Sequence, residues 1–157
     1  MTNTLSPKSR RHFLIMVALL LSGVAGLSAR VSADEAGIVV SDARIRWLPG
    51  ELPLAGYMTL ENRGERGRHL VGASSEWFGR IMMHRSVEES DQSHMVMSKR
   101  VGIDPAATVH FAPGGYHLML MKRQWPIKVG ASVPVTLQFD DGEPLTVNFQ
   151  VVGAAAP

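Results

Sequence analysis

The chain has no cysteine. That excludes disulfides, a thiol nucleophile, thiolate-bound zinc and the blue-copper type of site, each of which needs a Cys sulfur. It also lacks a basic excess outside its N-terminus. Of the 16 Lys and Arg residues, four (Lys8, Arg10, Arg11, Arg30) precede Asp34, whereas all 14 acidic residues lie from Asp34 onward. The remaining 12 bases are therefore outnumbered by acids, and nothing gathers phosphates as a nucleic-acid-binding domain would. There is no internal repeat, no low-complexity tract, no long linker and no long stretch with a period of 3.6. A chain of 157 residues has room for one domain. No nucleophile constellation, Gly-rich phosphate loop or paired-acid arrangement is present, so the sequence does not read as an enzyme.

Residues 1–33 read as a targeting segment and 34–157 as the folded domain. Lys8, Arg10 and Arg11 form a positive start, and Phe13 to Leu21 is an apolar run that weakens toward Leu27. The run is short for a transmembrane helix. Val31, Ser32 and Ala33 offer small residues for cleavage before Asp34. The stretch from Ser9 to Leu14 resembles the twin-arginine export signal. An ordinary secretory signal and an uncleaved anchor stay open as alternatives. Each exported form places the domain outside the cytoplasm.

From Ile38 onward, strand signals recur at short intervals between Gly, Pro, Asn and Asp. They cover Ile38–Trp47, Tyr57–Glu61, His69–Ser74, Arg80–Val87, His94–Arg100, Thr108–Phe111, Tyr116–Met121, Ser132–Phe139 and Leu145–Val152. An acidic turn is expected at Glu88–Gln92, and Asp141-Gly142 marks a hairpin between the last two strands. Eight or nine short strands predict an all-β sandwich or Greek-key barrel. The tail Gly153–Pro157 is expected to fray.

The part of the chain after Asp34 holds seven Met and five His residues, and their spacing matters more than their number. His117 and Met119 stand two apart in a strand, so both emerge on one face, with Met121 continuing it and Leu118 and Leu120 turned the other way. Met95 and Met97 repeat the pattern on a second strand, and Met82 and His84 on a third. Three strands can thus aim thioether and imidazole donors at one spot. A thioether is a soft, neutral donor that suits Cu(I), and imidazole suits copper generally. Zinc favours Cys, His or carboxylate, and calcium and magnesium favour oxygen. Taken alone, the segment Gly114–Met121 also fits a buried strand in which Met is core filler.

The spacing resembles that of the periplasmic copper chaperone family PCu(A)C. Its signature is His, ten residues, Met, twenty-one residues, His, one residue, Met, and His84, Met95, His117 and Met119 match it at all four positions. The segments Pro113–Met121, Ala55–Asn62 and Leu70–Ala73 are also similar to the family. The resemblance runs from about Ile38 to Val152. It implies a cupredoxin-like β-barrel carrying one exposed Cu(I) site on those four residues. It also implies a periplasmic role in passing copper to cytochrome oxidase copper centres, beside a Sco-type thiol protein, with contact to the membrane only through the acceptor. Two other functions compete: a periplasmic copper buffer or resistance protein without a specific acceptor, and a structural β-sandwich that binds no metal.

This chain departs from the family at His94, which alternation turns away from the Met95 face, and at Glu76–Phe78, where Trp77 reads as a packing residue. His69 is expected at a strand edge and His110 as a partly buried, hydrogen-bonded side chain. Trp47 and Trp125 read as structural, Met58 as core, and Arg63, Arg66 and Arg68 as a solvated basic loop. Gly153–Pro157 carry no Met or His, so a second copper site is not expected.

Overall fold

The computed structural model describes residues 37–89 and 92–155. The expected targeting segment lies outside the described residues, as does the end of the expected frayed tail. Ten strands follow in chain order: β1 Ile38–Arg46, β2 Leu54–Asn62, β3 Arg68–Ser74, β4 Phe78–Glu89, β5 Gln92–Met97, β6 Val101–Ile103, β7 Thr108–Phe111, β8 Tyr116–Arg123, β9 Ser132–Phe139 and β10 Leu145–Val152. Among the described residues there is no helix. The all-β expectation holds, and β6 is the strand beyond the nine expected segments. Three residues are too few to show a period of two, and β6 exists only because β3 offers it an edge, with His69 opposite Gly102.

All ten strands hydrogen-bond in the order β5-β4-β8-β7-β2-β1-β10-β9-β3-β6, with an added β8–β2 pairing. β3 and β4 lie near opposite ends of that order, yet only Ser75, Glu76 and Trp77 separate them. A link of that length spans at most about 14 Å. The sheet must therefore curl so that its two halves lie back to back, with β3 and β4 at a corner bridged by Ser75 and Phe78. The four-residue link between β6 and β7 imposes the same closure from the other end. The first and last strands meet in parallel, Arg44 opposite Gln150 and Arg46 opposite Val152.

The curl encloses an apolar core drawn from both halves, including Ile45, Met58, Leu60, Leu70, Phe111, Leu118, Leu120, Leu137 and Phe149. Met58 is core, as expected. Gly56 is needed where β2 crosses β8, because a Cβ there would stand 3.1 Å from Leu120 and 3.2 Å from Leu118. Trp77 and Trp47 pack partly buried against the core, and the Trp47 indole donates to the Ile127 carbonyl at 3.1 Å. Trp125 differs from the structural role expected of it: it is 60% exposed. The expected hairpin at Asp141-Gly142 forms, with Gly142 at φ 86° and its N–H bonded to Phe139 O at 3.2 Å.

The β4–β5 hairpin is longer than the sequence suggested. β4 runs to Glu89 and β5 begins at Gln92, inside the stretch expected to turn, and β5 stops at Met97, short of Arg100. Polar side chains gave no strand signal there, but the backbone continues its ladder, with Glu88 opposite Ser93 and Glu89 opposite Gln92.

Candidate metal centre

Three adjacent strands, β5, β4 and β8, carry every Met and His side chain singled out for ligation. In an antiparallel pair, directly opposed residues point to the same face. On β4 and β8 the opposed pairs are His84 with His117, Met82 with Met119 and Arg80 with Met121. On β5 and β4 they are Met97 with His84 and Met95 with Ser86. Met82, His84, Met95, Met97, His117, Met119 and Met121 thus share one face. The alternate residues of β4 and β8 pack the other way, where Met83 and Leu118 oppose each other in the core. Alternation expected from sequence is what the sheet shows. His94 sits opposite Val87, exposed, on the face away from Met95, also as expected.

The two histidines form the centre of this face. His84 is 9% exposed and His117 7%. Their rings lie edge to face, centroids 5.8 Å apart and planes at 70°. His117 Nδ1 lies 3.3 Å from the Gly115 carbonyl oxygen. An N–H at Nδ1 donating there leaves the Nε2 lone pair free, the arrangement that orients a ligating imidazole. The same carbonyl accepts from the Ser86 backbone N–H at 3.1 Å, so one atom ties the approach to β8 onto β4. The left-handed Gly114 (φ 79°) and the Gly115 N–H bonded to Ala112 O set the turn that delivers it. Nothing in the sequence singles out Gly115 as an anchor for His117, because that role depends on a carbonyl direction that sequence does not carry.

His84 is the chemically unusual group. Neither of its ring nitrogens has a hydrogen-bond partner, although both are buried. Buried polar atoms are almost always satisfied, and an orphaned pair of ring nitrogens calls for an occupant. Burial first, and then the nearby His117, hold the His84 imidazole below its ordinary pKa. Both influences favour the neutral imidazole, which is the form a metal needs. The thioethers are graded in exposure: Met82 and Met119 are half-buried, Met97 is 55% exposed and Met95 64%. Among the described residues no group of three or more His, Asp or Glu side chains could hold a metal ion. A site here must draw on Met sulfur, a donor set that fits a soft monovalent ion and not zinc or calcium.

The other histidines stand elsewhere. His69, at the start of β3, sits between Arg100 and Asp140, with its Nδ1 3.0 Å from the Asp140 carboxylate. Arg100 reaches His69 at 2.9 Å and Asp140 at 2.8 Å. His110 lies 3.2 Å from Thr59 Oγ1, hydrogen-bonded as expected but exposed, not partly buried. In the basic loop, Arg63 pairs with Glu61 and Arg68 pairs with Asp141 while stacking on Phe139.

A family described as "Putative lipoprotein LpqE-like" matches residues 38–151. The chain belongs to that family. Its sequence is 31% identical over 134 residues to "Putative lipoprotein Lxx21020" of Leifsonia xyli subsp. xyli, covering 80% of each protein. The fold is similar to a copper-bound PCuAC domain from PmoF2 (TM-score 0.63, 25% identity, 74% of this chain and 92% of that one). It is also similar to the CuI-DR1885 solution structure from Deinococcus radiodurans (TM-score 0.62, 28% identity, 80% of this chain and 85% of that one). The LpqE-like family and these PCuAC domains thus meet in one fold, and the PCu(A)C resemblance read from the sequence stands.

Proposed function

We propose that the protein is a copper chaperone that carries Cu(I) on the β5–β4–β8 face and passes it on by ligand exchange, without catalysis. The observation that carries this reading is the buried His84, with two unpartnered ring nitrogens, beside His117. The copper-bound and Cu(I) states named for two solved relatives support it. Copper is cargo here. The proposed donors are His84, Met95, His117 and Met119, the four positions that match the PCu(A)C signature. All are uncharged, so nothing anionic holds the ion against a thiolate acceptor. The exposed thioethers are the ones an acceptor meets first, and the buried imidazoles the last to let go. Export through residues 1–33, by the twin-arginine route, places the protein in the periplasm. The proposed recipients are the copper centres of cytochrome oxidase, with a Sco-type thiol protein as co-worker.

A Cu(I) titration against a coloured chelator tests the binding step. The wild-type protein is expected to hold one tight equivalent and the His117→Ala/Met119→Ala variant none, while remaining folded. A wild type unable to compete with the chelator removes the copper reading. Delivery is tested in cells lacking the protein: loss of oxidase activity that added copper restores supports the chaperone, whereas copper sensitivity with normal oxidase indicates a buffer.

A further inference from the structure

Trp125, Leu52 and Val129 are large apolar side chains that neither the core nor the copper face uses, and they are 60%, 57% and 57% exposed. They come from two links at one end of the barrel. The β1–β2 link holds Leu52, and the β8–β9 link holds Trp125 and Val129. The two links lie side by side, since β2 starts with Leu54 opposite Leu120 of β8 and the Trp47 indole donates to Ile127 O at 3.1 Å. Their apolar tips are fixed from behind. Ile127 is buried beneath them, and the Gly130 N–H bonds to Val151 O at 2.8 Å. Trp77 belongs to the same end, its carbonyl accepting from the Gln124 N–H at 3.0 Å, so all three tryptophans of the chain gather there.

Charge separates the two ends of the barrel. Beside the apolar tips stand exposed Lys122 and Lys128, with Arg123, and the only acids in the three links of this end are Glu51 and Glu76. Lys122 is exposed where the alternation of Leu118 and Leu120 would bury it, because the backbone turns through φ 56° there. At the other end, the turns after β6 and β9 hold Asp104, Asp140, Asp141 and Glu143 and no base of their own. An exposed apolar patch with bases at its rim fits a partner that is apolar within and negatively charged at its face. Tryptophan and lysine are side chains suited to the boundary between headgroups and acyl chains. We propose that this end of the barrel, with Trp125 at its tip, seats the domain directly on an anionic phospholipid bilayer. The partner is lipid itself, where the family resemblance implied membrane contact only through an acceptor. β8 runs six residues from His117 to Arg123, about 20 Å at the rise of a strand. The β5–β4–β8 face therefore stands clear of the headgroups while the opposite, acidic end points away from them.

The test adds the full chain to unilamellar vesicles of phosphatidylcholine, with or without phosphatidylglycerol, whose acyl chains are brominated. Residues 1–33 contain no tryptophan, so quenching of tryptophan emission by the bromine reports docking of the domain and not of that segment. Emission is expected to shift to the blue and be quenched on phosphatidylglycerol vesicles. On neutral vesicles, or at high salt, half-quenching should need at least about tenfold more lipid. Trp125→Ser should remove most of the quenching, and Lys122→Gln/Lys128→Gln should raise the lipid needed at least about tenfold. All three side chains are exposed, so the fold is retained, as circular dichroism checks. Vesicle binding without quenching in the wild type would assign attachment to residues 1–33 and overturn the proposal. Equal quenching on neutral and anionic vesicles, or none on either, overturns it too. So does self-association that Trp125→Ser abolishes in a protein that leaves vesicles alone, which would give the patch to a second copy. None of these outcomes bears on copper binding.

Discussion

His84 shows how one side chain can be set for its task by what surrounds it. Its burial costs the protonated form more than the neutral one, and His117 adds repulsion to any charge placed there. The sign of the consequence follows from linkage. Below the unfolded imidazole value of about 6.5, the unfolded chain takes up a proton that native His84 resists. The copper-free protein should therefore lose stability as pH falls from about 7 toward the lowered folded value. Urea midpoints at pH 7.5 and 5.5 check this. His84→Asn, which does not titrate, should show a smaller drop, and equal drops would mean that native His84 protonates freely. Because imidazole must be neutral to ligate, Cu(I) binding is also expected to weaken as the solution is acidified. An affinity flat from pH 7 to 5 would argue against histidine ligation.

At the scale of elements, the β2–β8 crossing is where packing holds the site in place. β8 carries His117 and Met119 outward and Leu118 and Leu120 inward, so the core clamps the strand from behind. Gly56→Ala would push a methyl group into Leu118 and Leu120 and should destabilise the fold by about 1–3 kcal/mol, read from denaturant unfolding. Leu118→Ala should cost about 2–5 kcal/mol through the cavity it leaves. Each change lies on the face opposite the ligands. Any loss of copper affinity in a variant that is still folded would show that strand position, not only donor identity, tunes the site. The hairpin of β4 and β5 behaves differently. β5 is an edge strand with exposed Met95, Val96 and Met97, and among the described residues it pairs with β4 alone.

Across the whole molecule, a charged cluster distant in sequence fastens the last hairpin to β3. Arg68 grips the Asp141 carboxylate, and that hydrogen bond is the largest influence holding the carboxyl below its ordinary value. A carboxylate with a lowered folded pKa stabilises above its unfolded value of about 3.9 and loses that contribution as pH falls through the folded one. Asp141→Asn should accordingly be less stable than wild type at pH 6, with the gap narrowing as pH falls below about 3.9. A gap unchanged at every pH down to acid unfolding would mean that the aspartate acts through its turn hydrogen bond to the Glu143 N–H and not through its charge.

The sequence by itself determined the class of fold and the chemistry of the site. Alternation of Leu with His and Met between Tyr116 and Met121 fixes which side chains share a face, because a strand has a period of two whatever its neighbours. The absence of thiols and the pairing of imidazole with thioether pointed to copper, and the spacing that resembles the PCu(A)C signature set that reading above core packing. Only tertiary structure decided what stands beside what. The β6 strand, the exposure of Trp125, the Gly115 carbonyl behind His117 and the row that sets Met97 against His84 all depend on pairing between strands far apart in sequence. Register across a sheet comes from hairpin length and core packing together, and counting residues along one strand does not supply it.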